Sequence, residues 1–226
     1  MIIYGKQLFF HLLKNKSDKI VKIYLAKECE KSLFRQISSL NKQIIKVDNK
    51  KAQALAKGGN HQGFLAEVKD FEFADFSSIK SGSFVVVLYG LSDVGNIGAI
   101  IRTAYALGVS GVVIIAKNIA IEGVIRASSG AAYEIPICLG NDGLSVINEL
   151  KQVGFEILAT NAGGDELKKL KLGSKISLVM GSEGDGLPNK VIQKCDYQVG
   201  IKMKNNWDSL NVSAAFAIFC DRIMNG

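Results

Sequence analysis

Phe84-Val-Val-Val-Leu-Tyr-Gly-Leu-Ser-Asp-Val-Gly-Asn-Ile-Gly-Ala-Ile-Ile-Arg-Thr-Ala-Tyr-Ala-Leu-Gly108 decides the fold class of this 226-residue chain. Its first six residues form an apolar, β-branched run of strand length, the composition of a strand buried on both faces. A polar loop rich in glycine follows. Beyond it Ile97, Ile100, Ile101, Ala104 and Leu107 return on one face of a helix that Gly108 ends, and Arg102 falls outside that apolar stripe, next to the loop's end of the helix. The same alternation continues, with candidate strands at 111–116, 135–138, 155–160, 176–180 and 197–201 and a last helix from about 209 to 224. An α/β fold with a mainly parallel sheet covered on both faces is expected.

Upstream of this unit the pattern is shorter in period. Strands at 20–26, 43–47 and 64–68 alternate with helical stretches near 28–40 and 50–57, which makes a small second α/β unit. The glycines of Gly58-Gly-Asn-His-Gln-Gly63 mark a tight loop. From 70 to 82 the periodicity is lost, and the stretch reads as a linker whose Phe71, Phe73 and Phe76 pack onto a neighbouring surface. The expected organisation is therefore 1–69, a linker over 70–82, and 83–226.

Charge separates the two units. The chain carries a formal +7, and residues 1–80 hold 15 Lys and Arg against 8 Asp and Glu, so the whole excess lies in the first third. Localised positive charge attracts polyanions through neutralised phosphates and released counterions, which points to nucleic acid. Hydrophobic content of 48% with 22% charged residues is that of a globular domain. Apolar runs stop at strand length, so no membrane span is expected. No secretory signal is visible at the N-terminus, and a cytoplasmic location is expected by default. Cys29, Cys138, Cys195 and Cys220 form no CxxC pair, and His11 and His61 alone cannot complete a zinc site, so the thiols read as reduced and no metal is expected.

The glycine loops exclude the commoner nucleotide motifs. Residues 90–98, GLSDVGNIG, do not fit GxGxxG; no GxxxxGK[ST] occurs; and Val94 stands where a GxSxG nucleophile elbow needs glycine. Three polar loops remain at ends of candidate strands, where open α/β sheets place ligands. They hold Asn96, Gly98 and Arg102; GSEGDGL at 181–187; and SLNVS at 209–213. Singly, Asn96 and Ser209 could be helix caps and 181–186 a turn; their joint occurrence is the signal.

On these three motifs, in this order, the chain resembles the SpoU (TrmH-like) 2′-O-ribose RNA methyltransferases of the SPOUT superfamily, over essentially its full length. Asn96, Gly98 and Arg102 match N-x-G-x-x-x-R, and 181–187 matches G-S-E-G-x-G-L throughout. The stretch RASSGAA at 126–132 is also similar. Ile3-Tyr-Gly-Lys-Gln7 and His61-Gln-Gly63 resemble the start and end of the ribosomal-protein-like (L30e-type) domain of the rRNA guanosine 2′-O-methyltransferases.

The resemblance implies a small N-terminal L30e-like α/β domain, a C-terminal SPOUT domain with a deep trefoil knot, and a homodimer formed through the C-terminal domain. It implies S-adenosylmethionine as methyl donor, held at Gly181, Ile201 and Leu210 with Thr160 and Asn161 nearby, and no metal. Arg102 would bind phosphate and stabilise negative charge, Asn96 would orient Arg102 or the ribose, Glu183 would hold the arrangement, and Ser209 and Asn211 would complete the hydrogen-bond set. RNA contacts are expected from Lys14, Lys16, Lys19, Arg35, Lys50 and Lys51, with a guanosine of large-subunit (23S) rRNA as target. The alternatives are a tRNA 2′-O-methyltransferase, a catalytically inactive RNA-binding relative, and an α/β enzyme acting on a small molecule. The chain departs from the family's pattern at Val94 and Lys202, where Pro is frequent, and at Asn205, where Gly is frequent; the stretch 201–208, which lines the donor pocket in the resemblance, carries two of the three.

Overall fold

The computed structural model describes residues 1–205 and 208–226. The N-terminal part runs β1 (Ile2–Tyr4), α1 (Lys6–Asn15), β2 (Ile20–Leu25), α2 (Lys31–Ser38), β3 (Gln43–Lys46), α3 (Asn49–Leu55) and β4 (Phe64–Val68). Its sheet has the order β1-β4-β2-β3; β4 is antiparallel to both neighbours, and β2 and β3 are parallel. Leu8, Phe9, Leu12 and Leu13 form the buried stripe of α1. The small Ala52 and Ala56 let α3 lie close on the other face against Leu65.

The C-terminal part is a six-stranded, all-parallel sheet in the order β10-β8-β9-β5-β6-β7, from β5 (Phe84–Tyr89), β6 (Gly111–Ile115), β7 (Ile137–Gly140), β8 (Glu156–Asp165), β9 (Ile176–Met180) and β10 (Tyr197–Val199). Its helices are α5 (Val94–Ala106), α6 (Ile121–Ala127), α7 (Gly143–Gln152), α8 (Asn189–Ile192) and α9 (Val212–Asn225), and α4 (Phe76–Lys80) precedes it. The two-sided burial expected of 84–89 is present. Phe84, Val86 and Leu88 join α5, α6 and α9 in one core, whereas Val85 and Val87 join α7 and α8 in another. The first of these cores continues into the N-terminal sheet through Phe9, Leu12 and Ile23, so the two sheets share apolar packing.

Several elements differ from the sequence expectation for physical reasons. Within 70–82, whose Phe residues were expected to pack on a neighbouring surface, Phe71 meets Tyr133 at 5.6 Å; what the sequence did not show is α4, which buries Ile79, and the bond from the Ala74 N–H to the Ile137 carbonyl at 2.8 Å. A five-residue helix is too short to leave a periodic signature. β7 starts at Ile137, two residues later than expected, because Pro136 has no N–H for the ladder. β8 runs on past residue 160 to Asp165, and α9 starts at Val212 because Asn211 caps it. α1 and β1 were not expected at all. Among the described residues no helix is long and apolar enough to cross a membrane.

Candidate active site

The site is built at the carboxyl ends of β5, β8, β9 and β10, from the loops and helices that follow them. Asp93 ends the β5 loop and caps α5, its carboxylate accepting the Asn96 N–H at 2.7 Å. The cap role considered for Asn96 is therefore taken by Asp93, three residues earlier. That leaves the Asn96 side chain free, and its Nδ2 donates to Glu183 Oε1 at 3.1 Å.

Gly98 explains the glycine of the first motif. A Cβ there would stand 2.4 Å from Ala127 Cβ and 2.8 Å from the Ala127 carbonyl carbon, so only glycine lets α5 meet the end of α6. In the second motif the loop folds back on itself, with the Gly186 N–H donating to the Ser182 carbonyl at 3.1 Å. Gly186 has a φ of 64°, and a Cβ on Gly181 would lie 2.4 Å from the Gly186 carbonyl carbon. This tight loop projects Glu183.

Asn211 joins the third motif to the other two. Its Oδ1 caps α9 by accepting from the Ser213 N–H at 3.0 Å and the Ser213 hydroxyl at 2.6 Å. With the oxygen so used, its Nδ2 points the other way and donates to Asn96 Oδ1 at 2.9 Å and Glu183 Oε1 at 2.7 Å. The Val212 N–H adds a third donor to the same carboxylate oxygen at 3.3 Å. Asn96, Glu183 and Asn211, separated by up to 115 residues in sequence, thus form one hydrogen-bonded cluster. Val212 was not anticipated; its position two residues after an exposed leucine carries no sequence signal.

Beside the cluster lies a cavity of about 410 Å³. Thr160, Asn161, Gly181, Ile201 and Leu210, the five expected donor-binding residues, all line it, together with Glu183 and Ser209. The Thr160 hydroxyl donates to the Val179 carbonyl at 3.1 Å, and the exposed Asn161 amide donates to the exposed Gln198 side chain at 2.8 Å. Met180, Leu187, Val212 and Phe219 give it an apolar lining, and Met203 and Asp208 join from the stretch 201–208. Asn206 and Trp207 of that stretch lie outside the described residues. Asn205 has a φ of 58°, the left-handed region where glycine is easiest and asparagine the best-tolerated substitute, so the departure from glycine preserves this backbone conformation.

Arg102 is not in the cluster. It is the ninth residue of α5, in the third turn rather than at the loop end where the sequence reading set it, and it is exposed on a different cleft, opposite α1. Nor are the six expected RNA contacts gathered in one place. Lys16 is paired with Glu134 at 3.2 Å and Lys19 with Glu72 at 3.4 Å. Lys14, Arg35, Lys50 and Lys51 are exposed on three different helices, Arg35 beside a separate cavity that also holds the exposed Phe34. Among the described residues no group of three or more His, Cys, Asp or Glu side chains could hold a metal ion.

Three loops at the carboxyl edge of a parallel sheet, converging on a nucleotide-sized cavity, mark an α/β enzyme that handles a small ligand beside a polar cluster. The pattern of the SpoU rRNA Methylase family matches residues 83–221, and that described as RNA 2′-O ribose methyltransferase substrate binding matches residues 2–74. The chain belongs to the SpoU family of RNA methyltransferases. A tRNA/rRNA methyltransferase of Archaeoglobus fulgidus, described as uncharacterized, is 33% identical over 208 residues, covering 89% of each chain. A Bacillus subtilis protein named for the TrmH family is 30% identical over 228 residues, covering 94% of this chain and 90% of its own. Among solved structures, the SpoU methyltransferase AviRb of Streptomyces viridochromogenes, in complex with AdoMet, superposes with a TM-score of 0.81 at 20% identity, covering all of this chain and 91% of that one. At that identity the likeness establishes the fold.

Proposed function

We propose that this protein transfers a methyl group from S-adenosylmethionine to a ribose 2′-hydroxyl of RNA, with a guanosine of large-subunit rRNA as target. The observation that carries the reading is the convergence of Asn96, Glu183 and Asn211 at the rim of the cavity that Gly181, Ile201 and Leu210 line. The donor set suits the group: backbone of the 181–187 loop and of Thr160 and Asn161 offers hydrogen bonds, and the side chains of Met180, Ile201 and Leu210 offer apolar contact. Leu210 is 36% exposed, an apolar side chain that a bound planar ring would cover. S-adenosylmethionine held there supplies an electrophilic methyl on a sulfonium.

The chain's own groups supply the rest. A ribose hydroxyl is a weak nucleophile while protonated, so positioning and stabilisation of the developing alkoxide are what the residues provide. The cluster fixes the amide of Asn96, which orients the ribose. Arg102 donates to phosphate or alkoxide oxygen; a guanidinium is a donor rather than a base near neutrality. Residues 1–69 act as the RNA substrate-binding domain, 70–82 connect it, and 83–226 form the methyltransferase domain, which dimerises through its own surface and carries a trefoil knot at its C-terminal end. The substrate-binding match over 2–74 and the basic first third support RNA recognition by this domain, and its resemblance to the L30e-type domain of the rRNA guanosine methyltransferases is what favours rRNA as the target.

Transfer of labelled methyl from S-adenosylmethionine to rRNA and, separately, to tRNA tests the reading, with Arg102→Ala alongside. Label on large-subunit rRNA that the variant loses is the expected result. Label on tRNA alone would replace the target, and label on neither would replace the reaction.

A further inference from the structure

Between the two sheets lies an open cleft of about 620 Å³ that the cluster above does not use. One wall is a face of α1 bearing Lys6, Gln7, Phe10, His11, Lys14 and Asn15; the other is Arg102 of α5, with Ser129 between them. Its charge is one-sided. No carboxylate lines it, and among the described residues Lys6, Lys14 and Arg102 have no acidic partner within 4.0 Å. Lys16, just past the end of α1, is by contrast paired with Glu134 at 3.2 Å, and the other oxygen of that carboxylate lies 2.9 Å from His11 Nε2.

The stretch 126–132, which the catalytic cluster leaves unexplained, is what sets the width of this cleft. Arg126 lies over the Tyr4 ring at 4.7 Å, and the Ser129 hydroxyl donates to Gln7 Oε1 at 3.4 Å. Ser129 and Gly130 have φ of 54° and 97°, and a Cβ on Gly130 would stand 2.6 Å from His11 Cδ2. Glycine at 130 therefore lets α1 approach closely, and the contacts of Glu134 with Lys16 and His11 hold it there. Lys6 and Lys14 stand two turns apart, about 12 Å along the helix axis. That separation suits successive groups of an extended polyanion better than one small ion. α5 carries both Asn96 and Arg102, so a single rigid helix joins the cleft to the cluster.

We propose that the RNA strand flanking the target ribose lies in this cleft, its phosphodiesters held by Lys6 and Lys14 on one side and Arg102 on the other. Gln7, Asn15 and Ser129 offer hydrogen bonds to the same backbone. α1 is thereby a wall of the substrate site as well as part of a separate affinity domain. The assignment rests on the reading of this protein as an RNA methyltransferase, and adds Lys6, Gln7, Asn15 and Ser129 to its substrate contacts.

The test is the double variant Lys6→Gln/Lys14→Gln, both positions being exposed so that the fold is retained, checked by thermal melting. Binding of a mixed-sequence single-stranded oligoribonucleotide is measured across salt concentrations, S-adenosylmethionine binding by calorimetry, and methyl transfer to rRNA by steady-state kinetics. Loss of two phosphate contacts lowers the slope of log K against log salt by about 1.4. The expected result is that drop, a raised KM for RNA with kcat held, and unchanged donor affinity. An unchanged slope with an unchanged KM, or wild-type RNA binding that does not respond to salt, overturns the proposal. Wild-type protein that transfers no methyl while the slope still falls in the variant would refute the methyltransferase reading and leave the cleft standing as an RNA site.

Discussion

Glu183 is where the account of the site is most exposed to test, because one carboxylate oxygen is asked to hold three motifs together. Glu183 Oε1 accepts from Asn211 at 2.7 Å, Asn96 at 3.1 Å and the Val212 N–H at 3.3 Å. A hydrogen bond to a charged group contributes about 1.5–3 kcal/mol and a neutral one about 0.5–1.5 kcal/mol. In Glu183→Gln the two shorter bonds each lose about 0.5–1 kcal/mol, and the long third loses little. Glu183 is exposed, so solvent competes and the lower end applies. The expected cost is about 1 kcal/mol for Gln and about 2 kcal/mol for Ala, where both amides are left to water. For a chain of this size each kcal/mol lowers Tm by about 2–4 °C. Thermal melting of Glu183→Gln, Glu183→Ala, Asn96→Ala and the double Asn96→Ala/Glu183→Ala gives a cycle whose expected coupling is about 0.5–1.5 kcal/mol. A Glu183→Ala protein that melts with the wild type, and a cycle that closes to zero, would show that the cluster does not exist in solution.

Three further outcomes follow from the same geometry. Gly98→Val drives side-chain atoms into Ala127 and is expected to cost about 1–3 kcal/mol in urea unfolding despite valine's freedom from glycine's entropy penalty; a variant as stable as the wild type would mean that α5 and α6 are further apart than described. Burial pushes the Cys195 thiol up to about 11 and the Cys220 thiol up to about 12, and raises the Tyr133 phenol as well. The unfolded chain releases the thiol protons first, near pH 8.5–9, so stability is level below that and falls as pH climbs from there towards 11–12; stability that stays level across this range would contradict the burial of these groups. Arg102→Ala removes an exposed side chain and should leave Tm and donor affinity alone while lowering methyl transfer by about 10²–10³-fold; a parallel loss of donor binding would place Arg102 in the donor cavity instead.

The parallel sheet was legible because 84–89 and its like are continuous apolar runs, and two-sided burial leaves no other composition. The three loops were legible as motifs, and the hydrogen bonds among Asn96, Glu183 and Asn211 show what these residues do together in this chain: two amides and a carboxylate satisfy one another. Which residue caps α5 and which caps α9 was not legible, since Asp93 and Asn96, or Ser209 and Asn211, are equally good cap residues in sequence. α1 went unread although Leu8, Phe9, Leu12 and Leu13 form its buried stripe, and its polar face gains meaning only when Ser129 and Gly130 bring it opposite Arg102. Placement of that kind depends on contacts more than a hundred residues apart, which no local pattern encodes. The positive charge of the first third was counted correctly, yet ion pairs with Glu134 and Glu72 occupy two of the six cations it suggested.

The central claim is chemical, that the acceptor is a ribose hydroxyl. Nucleoside mass analysis of rRNA methylated by this protein tests it directly. The account predicts 2′-O-methylated nucleoside, guanosine in the assigned target, and an adjacent phosphodiester that resists alkaline hydrolysis because its 2′-oxygen is blocked. Methyl found on a base, with the neighbouring linkage still cleaved by alkali, would contradict it.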